Sequence, residues 1–252
     1  MDKEDLVCSI CGGRCFLLDV VDFNKSCEET KGKFLVLSGI PVYYAICSQC
    51  GFCFTPALYA WTLDEFEKNI YNDDYVFVDP DYIETRPRAG AANLLSMFEN
   101  LPPSIRHLDY GGGKGLLAKI LRESNWNSIS YDPFVDRDIN IEQLGEVELI
   151  TAYEVFEHVP DVQKLMSNLR SLLSSNGLVL FSTLASDEKI RPFRRLDWWY
   201  ASPRNGHISL FSRKSLAILA QKNGFKFASF SEGLHVFFTN IPPWAAHLVQ
   251  KA

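Results

Sequence analysis

The fold of this chain is decided by the stretch IRHLDYGGGKGLL, residues 105–117. A short apolar run ends in the carboxylate of Asp109, and four glycines follow between residues 111 and 115. Apolar residues then recur at helical spacing from Leu116, which indicates a strand, a tight turn and an amphipathic helix in succession. Glycine suits such a turn because a Cβ would collide where the backbone bends sharply or lies against a ligand. The start of the helix adds unpaired N–H groups beside that ligand.

The glycine spacing and the preceding acid together indicate which ligand the turn serves. Gly111, Gly113 and Gly115 form G-x-G-x-G, and Leu116 breaks the dinucleotide pattern G-x-G-x-x-G. The carboxylate of Asp109 would repel a pyrophosphate, whereas it suits a ligand that carries positive charge. S-adenosylmethionine is such a ligand, because it has an ammonium and a sulfonium group and no phosphate. The alternative is a purely structural turn between strand and helix.

This pattern resembles motif I of the class I methyltransferases that use S-adenosylmethionine. The resemblance implies a Rossmann-like, doubly wound α/β fold. Its sheet is expected to have seven mostly parallel strands, with an antiparallel strand near the carboxyl terminus. Two later stretches resemble the same family, namely EVFEHVPD at residues 154–161 and the run from Gly206-His207 to Gly224-Phe225.

Further candidate cofactor contacts follow the next two predicted strands. Asp132 comes directly after a strand at 127–131, where a carboxylate can accept hydrogen bonds from two ribose hydroxyls, although a plain turn aspartate is the alternative. Glu154 follows a buried strand at 147–152. The complete set of expected cofactor contacts is Asp109, Tyr110, Gly111, Gly113, Gly115, Asp132, Pro133, Tyr153, Glu154 and Tyr75.

All seven cysteines lie between Cys8 and Cys53, which indicates a separate N-terminal unit. Two C-x-x-C-G motifs can turn their sulfurs toward one metal, and four thiolates close a tetrahedral zinc site without an open position. Strands predicted at 34–37 and 42–46 between the motifs complete a zinc-ribbon layout. Reduced thiols, a partial disulfide and an iron–sulfur cluster are the alternatives. The expected structural zinc ligands are Cys8, Cys11, Cys47 and Cys50, for which Cys15, Cys27 or Cys53 could substitute.

These features divide the chain into three ranges. Residues 1–60 form the zinc-ribbon-like unit, 61–100 a helical and aromatic connecting lid, and 101–252 the methyltransferase core. In the family that the chain resembles, a segment like 61–100 often covers the cofactor. Tyr71 or Tyr75 could therefore lie over the site, or could simply pack at the surface.

Composition sets limits on partners and location. The 252 residues carry a net charge of −6, which argues against a nucleic-acid surface because such a surface needs clustered Lys and Arg. A hydrophobic content of 47% is enough for a packed core, yet no apolar run approaches the roughly 18 residues of a membrane span. Residues 1–5 are charged and unlike a signal peptide, so a cytoplasmic location is expected.

The chemistry that these motifs imply is methyl transfer to a small-molecule acceptor, at carbon or oxygen. His158 and His207 are the candidate bases that remove a proton from the acceptor, and structural histidines bonded to backbone are the alternative. The cysteine unit and core together resemble small-molecule and sugar C-methyltransferases. Three other functions stay open, namely a non-catalytic binding protein, an RNA methyltransferase with a zinc element, and an NAD oxidoreductase.

Overall fold

A computed structural model of the chain describes residues 6–248, so the charged start at 1–5 lies outside the described residues. The chain divides into two compact units. Within the described range, the first unit comprises residues 6–80, 156–163 and 183–222, and the second comprises 81–155, 164–182 and 223–248. Each unit thus combines segments distant in sequence and differs from the linear ranges given above, which stay a prediction.

The described residues form ten strands and six α-helices. The strands are β1 (Cys15–Asp22), β2 (Pro41–Cys47), β3 (Cys53–Phe54), β4 (Arg106–Tyr110), β5 (Asn127–Tyr131), β6 (Val147–Tyr153), β7 (Leu173–Ser182), β8 (Ser209–Leu210), β9 (Lys226–Ser229) and β10 (Leu234–Phe238). The helices are α1 (Leu63–Asn69), α2 (Tyr75–Val78), α3 (Thr85–Met97), α4 (Leu116–Glu123), α5 (Val162–Leu172) and α6 (Arg213–Lys222). None of these helices is long and apolar enough to span a bilayer.

The second unit contains a six-stranded mixed sheet in the order β5-β4-β6-β7-β10-β9. The four strands from β5 to β7 are parallel, whereas β10 runs antiparallel to both β7 and β9. The Rossmann-like α/β prediction is confirmed. Among the described residues the sheet has six strands instead of seven. Its one antiparallel strand is β10, as predicted, because β9 pairs antiparallel with β10 and therefore runs parallel to β7.

The order of the parallel strands places a switch point beside β4. The chain passes from β4 through α4 to β5 on one side, and then returns to β6 on the other side of β4. In open α/β sheets, ligands bind in the crevice at the carboxyl ends of the strands next to such a point. The register pairs Asp109 of β4 with Ser130 of β5 and Thr151 of β6, so these three residues share that edge.

Burial in the sheet explains why its strands read as continuous apolar runs. Leu108, Leu149, Ile150 and Leu180 are fully buried, as parallel strands in α/β folds usually are. The amphipathic pattern after the glycines forms α4 as predicted, and that helix buries Leu121.

The first unit contains a four-stranded antiparallel sheet in the order β1-β2-β3-β8. The strand predicted at 42–46 is confirmed as β2, but the strand predicted at 34–37 is wrong. Residues 33–40 have no regular secondary structure, and Val36 is 87% exposed. The reason is pairing, because β1 and β3 already occupy both edges of β2. The exposed segment is held by Asp22, whose carboxylate accepts hydrogen bonds from the N–H groups of Ser38 and Gly39.

Replacing Gly111 with alanine tests the packing of the turn. Its φ is +76°, and an added Cβ would lie 2.4 Å from Cγ2 of Val155. Gly224 has a nearly equal φ of +75° with no atom within 4 Å of a Cβ, so Gly224→Ala is a control for backbone strain alone. We expect Gly111→Ala to lower the free energy of unfolding by about 1–3 kcal/mol more than the control in urea titrations. Equal losses would contradict this packing.

Candidate functional site

The glycine turn after β4 is the centre of the candidate site. Gly111, Gly113 and Gly115 all have positive φ, at 76°, 54° and 75°, which other residues adopt only with strain. A Cβ on Gly113 would meet no atom within 4 Å, so the turn leaves open space at that residue. The helix α4 begins directly afterwards at Leu116. The turn can therefore lie close to a ligand, as the sequence predicts.

Asp132 connects the turn to the end of β5. Its Oδ2 accepts a hydrogen bond from the N–H of Gly113 at 3.0 Å, and its Oδ1 accepts one from Phe134 at 2.9 Å. Each carboxylate oxygen has a second lone pair, so Asp132 can still accept hydrogen bonds from two ribose hydroxyls. Pro133, which follows it, is partly exposed in the adjoining turn.

Asp109 lies at the end of a buried chain of hydrogen bonds. Thr151 Oγ1 donates to Asp109 Oδ1 at 2.9 Å, and His107 Nε2 lies 2.9 Å from the same hydroxyl oxygen. Because that hydroxyl has only one proton to donate, His107 Nε2 must be the donor to Thr151. His107 Nδ1 then accepts from Ser128 Oγ at 2.8 Å. The direction of every hydrogen bond in this chain is thus set by the carboxylate.

Burial governs the ionisation of both titratable members of this chain. Burial raises the pKa of Asp109 to about 7; the hydrogen bond from Thr151 opposes the increase, and the charge of Asp132 adds to it. Burial also lowers the pKa of His107 to about 3, so this imidazole is neutral. The carboxylate therefore gains no compensating charge from His107. A cationic ligand at this edge would favour the ionised form of Asp109.

A second polar group converges with Asp109 beneath the turn. A Cβ on Gly112 would lie 2.3 Å from Ser130 Oγ and 2.5 Å from Asp109 Oδ2. The Ser130 hydroxyl is buried and has no hydrogen-bond partner in the described structure. Buried polar groups usually have partners, so an unsatisfied one beside an open turn is a feature expected of a ligand site. Sequence reasoning missed Ser130 and Thr151, whose only signal is polarity at the positions that pair with Asp109.

The end of β6 carries two more of the predicted residues. Glu154 has a φ of +53°, an unusual value for a residue with a side chain. Its N–H donates to Ser182 Oγ at 2.9 Å, and that hydroxyl donates to Glu154 Oε1 at 2.7 Å. Burial raises the pKa of the preceding Tyr153, which is neutral. The buried Tyr110 accepts a hydrogen bond from Asn168 Nδ2 at 3.2 Å.

The other predicted site residues belong to the first unit. Tyr75 is buried, and its hydroxyl donates to the carbonyl oxygen of Asn205 at 3.2 Å. His158 and His207 are brought together, with ring centroids 4.9 Å apart. Beside them lies Glu157, a fully buried residue for which sequence reasoning predicted no role.

The four predicted zinc ligands converge in the first unit. Sγ of Cys8 lies 3.7 Å from that of Cys50, and Sγ of Cys11 lies 3.4 Å from that of Cys47. A disulfide would need about 2.05 Å, whereas zinc bonds of about 2.3 Å place tetrahedral thiolates about 3.8 Å apart. The cluster therefore fits one tetrahedral metal ion. The three cysteines outside this group of four are Cys15, Cys27 and Cys53.

Comparison with known proteins identifies relatives of a range that includes segments of both units. Residues 82–229, more than half of the chain, match the family described as a methyltransferase domain. Ubiquinone biosynthesis O-methyltransferase of Colwellia psychrerythraea is 27% identical over 95 residues, which are 38% of this chain and 39% of that protein. The Acinetobacter baumannii enzyme of the same name is 29% identical over 68 residues, or 27% of this chain and 29% of that protein. The chain thus matches well under two thirds of either relative.

A solved structure confirms the fold. The O-methyltransferase family protein from Burkholderia thailandensis superposes with a TM-score of 0.50 over 71% of this chain and 63% of that chain. The two sequences are 15% identical, so the likeness concerns the fold alone.

Replacing Asp109 with asparagine tests the burial of its charge. Because the folded-state pKa lies above the ordinary value of about 4, ionised Asp109 costs folding free energy, and that cost is complete above about pH 7 and absent below about pH 4. We expect ligand-free Asp109→Asn to be more stable than the wild type at pH 8 and no more stable at pH 4.5. The measurement is urea unfolding at both pH values, with the exposed Asp138→Asn as control. A stability difference that did not change with pH would contradict a buried, titrating carboxylate.

Proposed function

We propose that this chain, which belongs to the methyltransferase-domain family, transfers the methyl group of S-adenosylmethionine to a small-molecule acceptor. The observation that carries the proposal is the buried carboxylate of Asp109 beneath a glycine turn with open space. An anion in that place disfavours a pyrophosphate and favours a ligand with positive charge.

The residues of the second unit fit such a cofactor in three ways. Asp109 offers a negative charge to its cationic end, and Asp132 offers lone pairs to the ribose hydroxyls. The unsatisfied hydroxyl of Ser130 and the open space at Gly113 supply a polar partner and room. Tyr110, Gly111, Gly115, Pro133, Tyr153 and Glu154 are proposed to complete the cofactor site of this unit, and the cofactor contact of Tyr75 stays a prediction.

When bound, S-adenosylmethionine supplies an already activated methyl carbon, so the protein has to align the acceptor and remove its proton. We assign the proton transfer to His158 and His207. Nδ1 of each ring lies within hydrogen-bond distance of a backbone carbonyl oxygen, which can only accept. In a neutral ring whose Nδ1 donates to that carbonyl, Nε2 carries the lone pair that a base needs; His158 Nδ1 has the Tyr71 hydroxyl as a second neighbour at 3.1 Å. The names of the two O-methyltransferase relatives support oxygen as the methylated atom.

We also propose that Cys8, Cys11, Cys47 and Cys50 hold a structural zinc ion. Four thiolates leave no position for water or substrate, so this ion would stabilise the first unit without a chemical role. The support is the spacing of the sulfurs and the N–H groups of Gly13 and Gln49, which donate to Sγ of Cys11 and Cys47. Thiols that bind zinc persist in a reducing compartment, which favours a cytoplasmic location.

Titration calorimetry with S-adenosylhomocysteine and with NADH tests the choice of cofactor. We expect the wild type to bind S-adenosylhomocysteine and to give no saturable heat with NADH. Asp132→Ala should weaken binding of S-adenosylhomocysteine by about tenfold or more, since it removes hydrogen bonds to a charged acceptor. The exposed Asp138→Asn serves as control and should bind like the wild type. Saturable NADH binding without S-adenosylhomocysteine binding would refute the proposal.

Metal analysis of cysteine variants tests the zinc site. Cys11→Ser should retain one metal equivalent fewer than the wild type and should unfold at a lower temperature, because a structural zinc contributes to folding. Cys27→Ser is the matched control, since Cys27 lies outside the group of four thiols. If both variants kept the zinc content of the wild type, the assignment of the ligands would be wrong.

A further inference from the structure

The first unit contains a second group of metal-binding side chains, which we name the His–Glu cluster: Glu157, His158 and His207. One donor atom from each residue lies within 4.8 Å of the other two. Donors at about 2.1 Å from one tetrahedral ion lie about 3.4 Å apart, so the donor atoms need to close by at most about 1.4 Å to share an ion. We propose that the His–Glu cluster binds a divalent metal ion of borderline hardness, such as Zn²⁺, in addition to the four-thiolate site.

Both imidazole rings are oriented as metal ligands usually are. His207 Nδ1 lies 2.8 Å from the carbonyl oxygen of Tyr200, and His158 Nδ1 lies 3.1 Å from that of Gly206. Because a carbonyl can only accept, His207 donates through Nδ1 and carries its lone pair on Nε2 when neutral. His158 does the same when its Nδ1 donates to Gly206, and the Tyr71 hydroxyl is a second neighbour of that nitrogen at 3.1 Å. Histidines that bind metals commonly donate their other N–H to such a carbonyl, which sets the tautomer and the ring orientation.

The backbone around the cluster holds the three side chains on adjacent segments. The N–H of Ile208 donates to the carbonyl oxygen of Glu157 at 2.9 Å and so ties the segment of His207 to that of Glu157. Gly206 has a φ of +87°, and a Cβ there would lie 3.0 Å from His158 Nδ1 and 2.5 Å from the hydroxyl of Tyr71. The glycine therefore allows its carbonyl segment to approach the His158 ring closely.

The charge of the cluster also fits a cation. Glu157 is fully buried, and its Oε1 accepts a short hydrogen bond from the hydroxyl of Tyr200. A buried carboxylate is stabilised by positive charge as well as by hydrogen bonds, and a divalent ion would add positive charge. Two imidazole nitrogens and one carboxylate oxygen suit Zn²⁺ or Fe²⁺ better than Mg²⁺ or Ca²⁺, which prefer oxygen ligands.

Three protein ligands leave one position of a tetrahedral ion open, unlike the four-thiolate site. The open position can take the oxygen of water or of an acceptor hydroxyl, whose acidity the ion increases. In the metal-bound form, His158 and His207 would promote loss of the acceptor proton through the ion they hold, which refines the proton-transfer role proposed for them above. This role rests on the proposed function, whereas the presence of the metal site does not.

Cobalt binding to the full chain tests the proposal. Metal-free protein is titrated with Co²⁺, because thiolate ligands give intense charge-transfer absorption that nitrogen and oxygen ligands do not give. We expect the wild type to bind about two ions, one with the thiolate signal and one without it. His158→Gln and Glu157→Gln should each bind about one ion and retain the thiolate signal, which also reports that the first unit is folded. His247→Gln replaces an exposed histidine outside the cluster and should bind both ions.

A wild type that binds a single ion, with the thiolate signal, would overturn the proposal. So would binding of both ions by His158→Gln and Glu157→Gln. Added Zn²⁺ should displace Co²⁺ from both sites of the wild type. If Zn²⁺ failed to displace the Co²⁺ that gives no thiolate signal, the His–Glu cluster would not prefer ions of borderline hardness. S-adenosylhomocysteine binding is measured on the same proteins to separate the two proposals. If neither the wild type nor any variant bound S-adenosylhomocysteine, the cofactor assignment would be refuted and the metal result would be unaffected.

Discussion

Asp109, at the end of β4, is 4% exposed, so its carboxylate has lost most of its hydration. The hydrogen bond from Thr151 offsets part of this cost, and burial still raises the pKa of Asp109 to about 7. Neighbouring residues hold this carboxylate in place. The neutral His107 orients Thr151, and Gly112 lets the turn approach the carboxylate, because a Cβ there would lie 2.5 Å from Asp109 Oδ2.

The two units carry different kinds of chemistry. In the second unit, the carboxylates of Asp109 and Asp132 are the proposed contacts of a cationic nucleoside, the first to its positive charge and the second to its ribose. In the first unit, the four thiols form a closed set of donors that suits a structural ion. The His–Glu cluster of the same unit offers three donors, a number that leaves room for an external oxygen ligand.

Sequence reasoning succeeds where a local rule determines the structure. It fails where the structure depends on pairing between segments that are distant in sequence. The G-x-G-x-G turn is predictable because only glycine adopts the positive φ values found at Gly111, Gly113 and Gly115 without strain. The strand predicted at 34–37 fails because local pattern cannot reveal that β1 already pairs with β2. Ser130 and Thr151 are missed for a similar reason, since only the register of β4 with β5 and β6 brings them beside Asp109.

Proton exchange on cofactor binding tests most directly whether the Asp109 charge meets a cation. S-adenosylhomocysteine is titrated near pH 7 in two buffers of different ionisation enthalpy, with Asp109→Asn as the reference for protons exchanged by the ligand itself. Because a bound cation lowers the pKa of Asp109, the wild type should release a fraction of a proton more than the variant. Its affinity should also fall about tenfold from pH 8 to pH 6 relative to the variant. Equal proton exchange and parallel pH dependence in the two proteins would contradict the account.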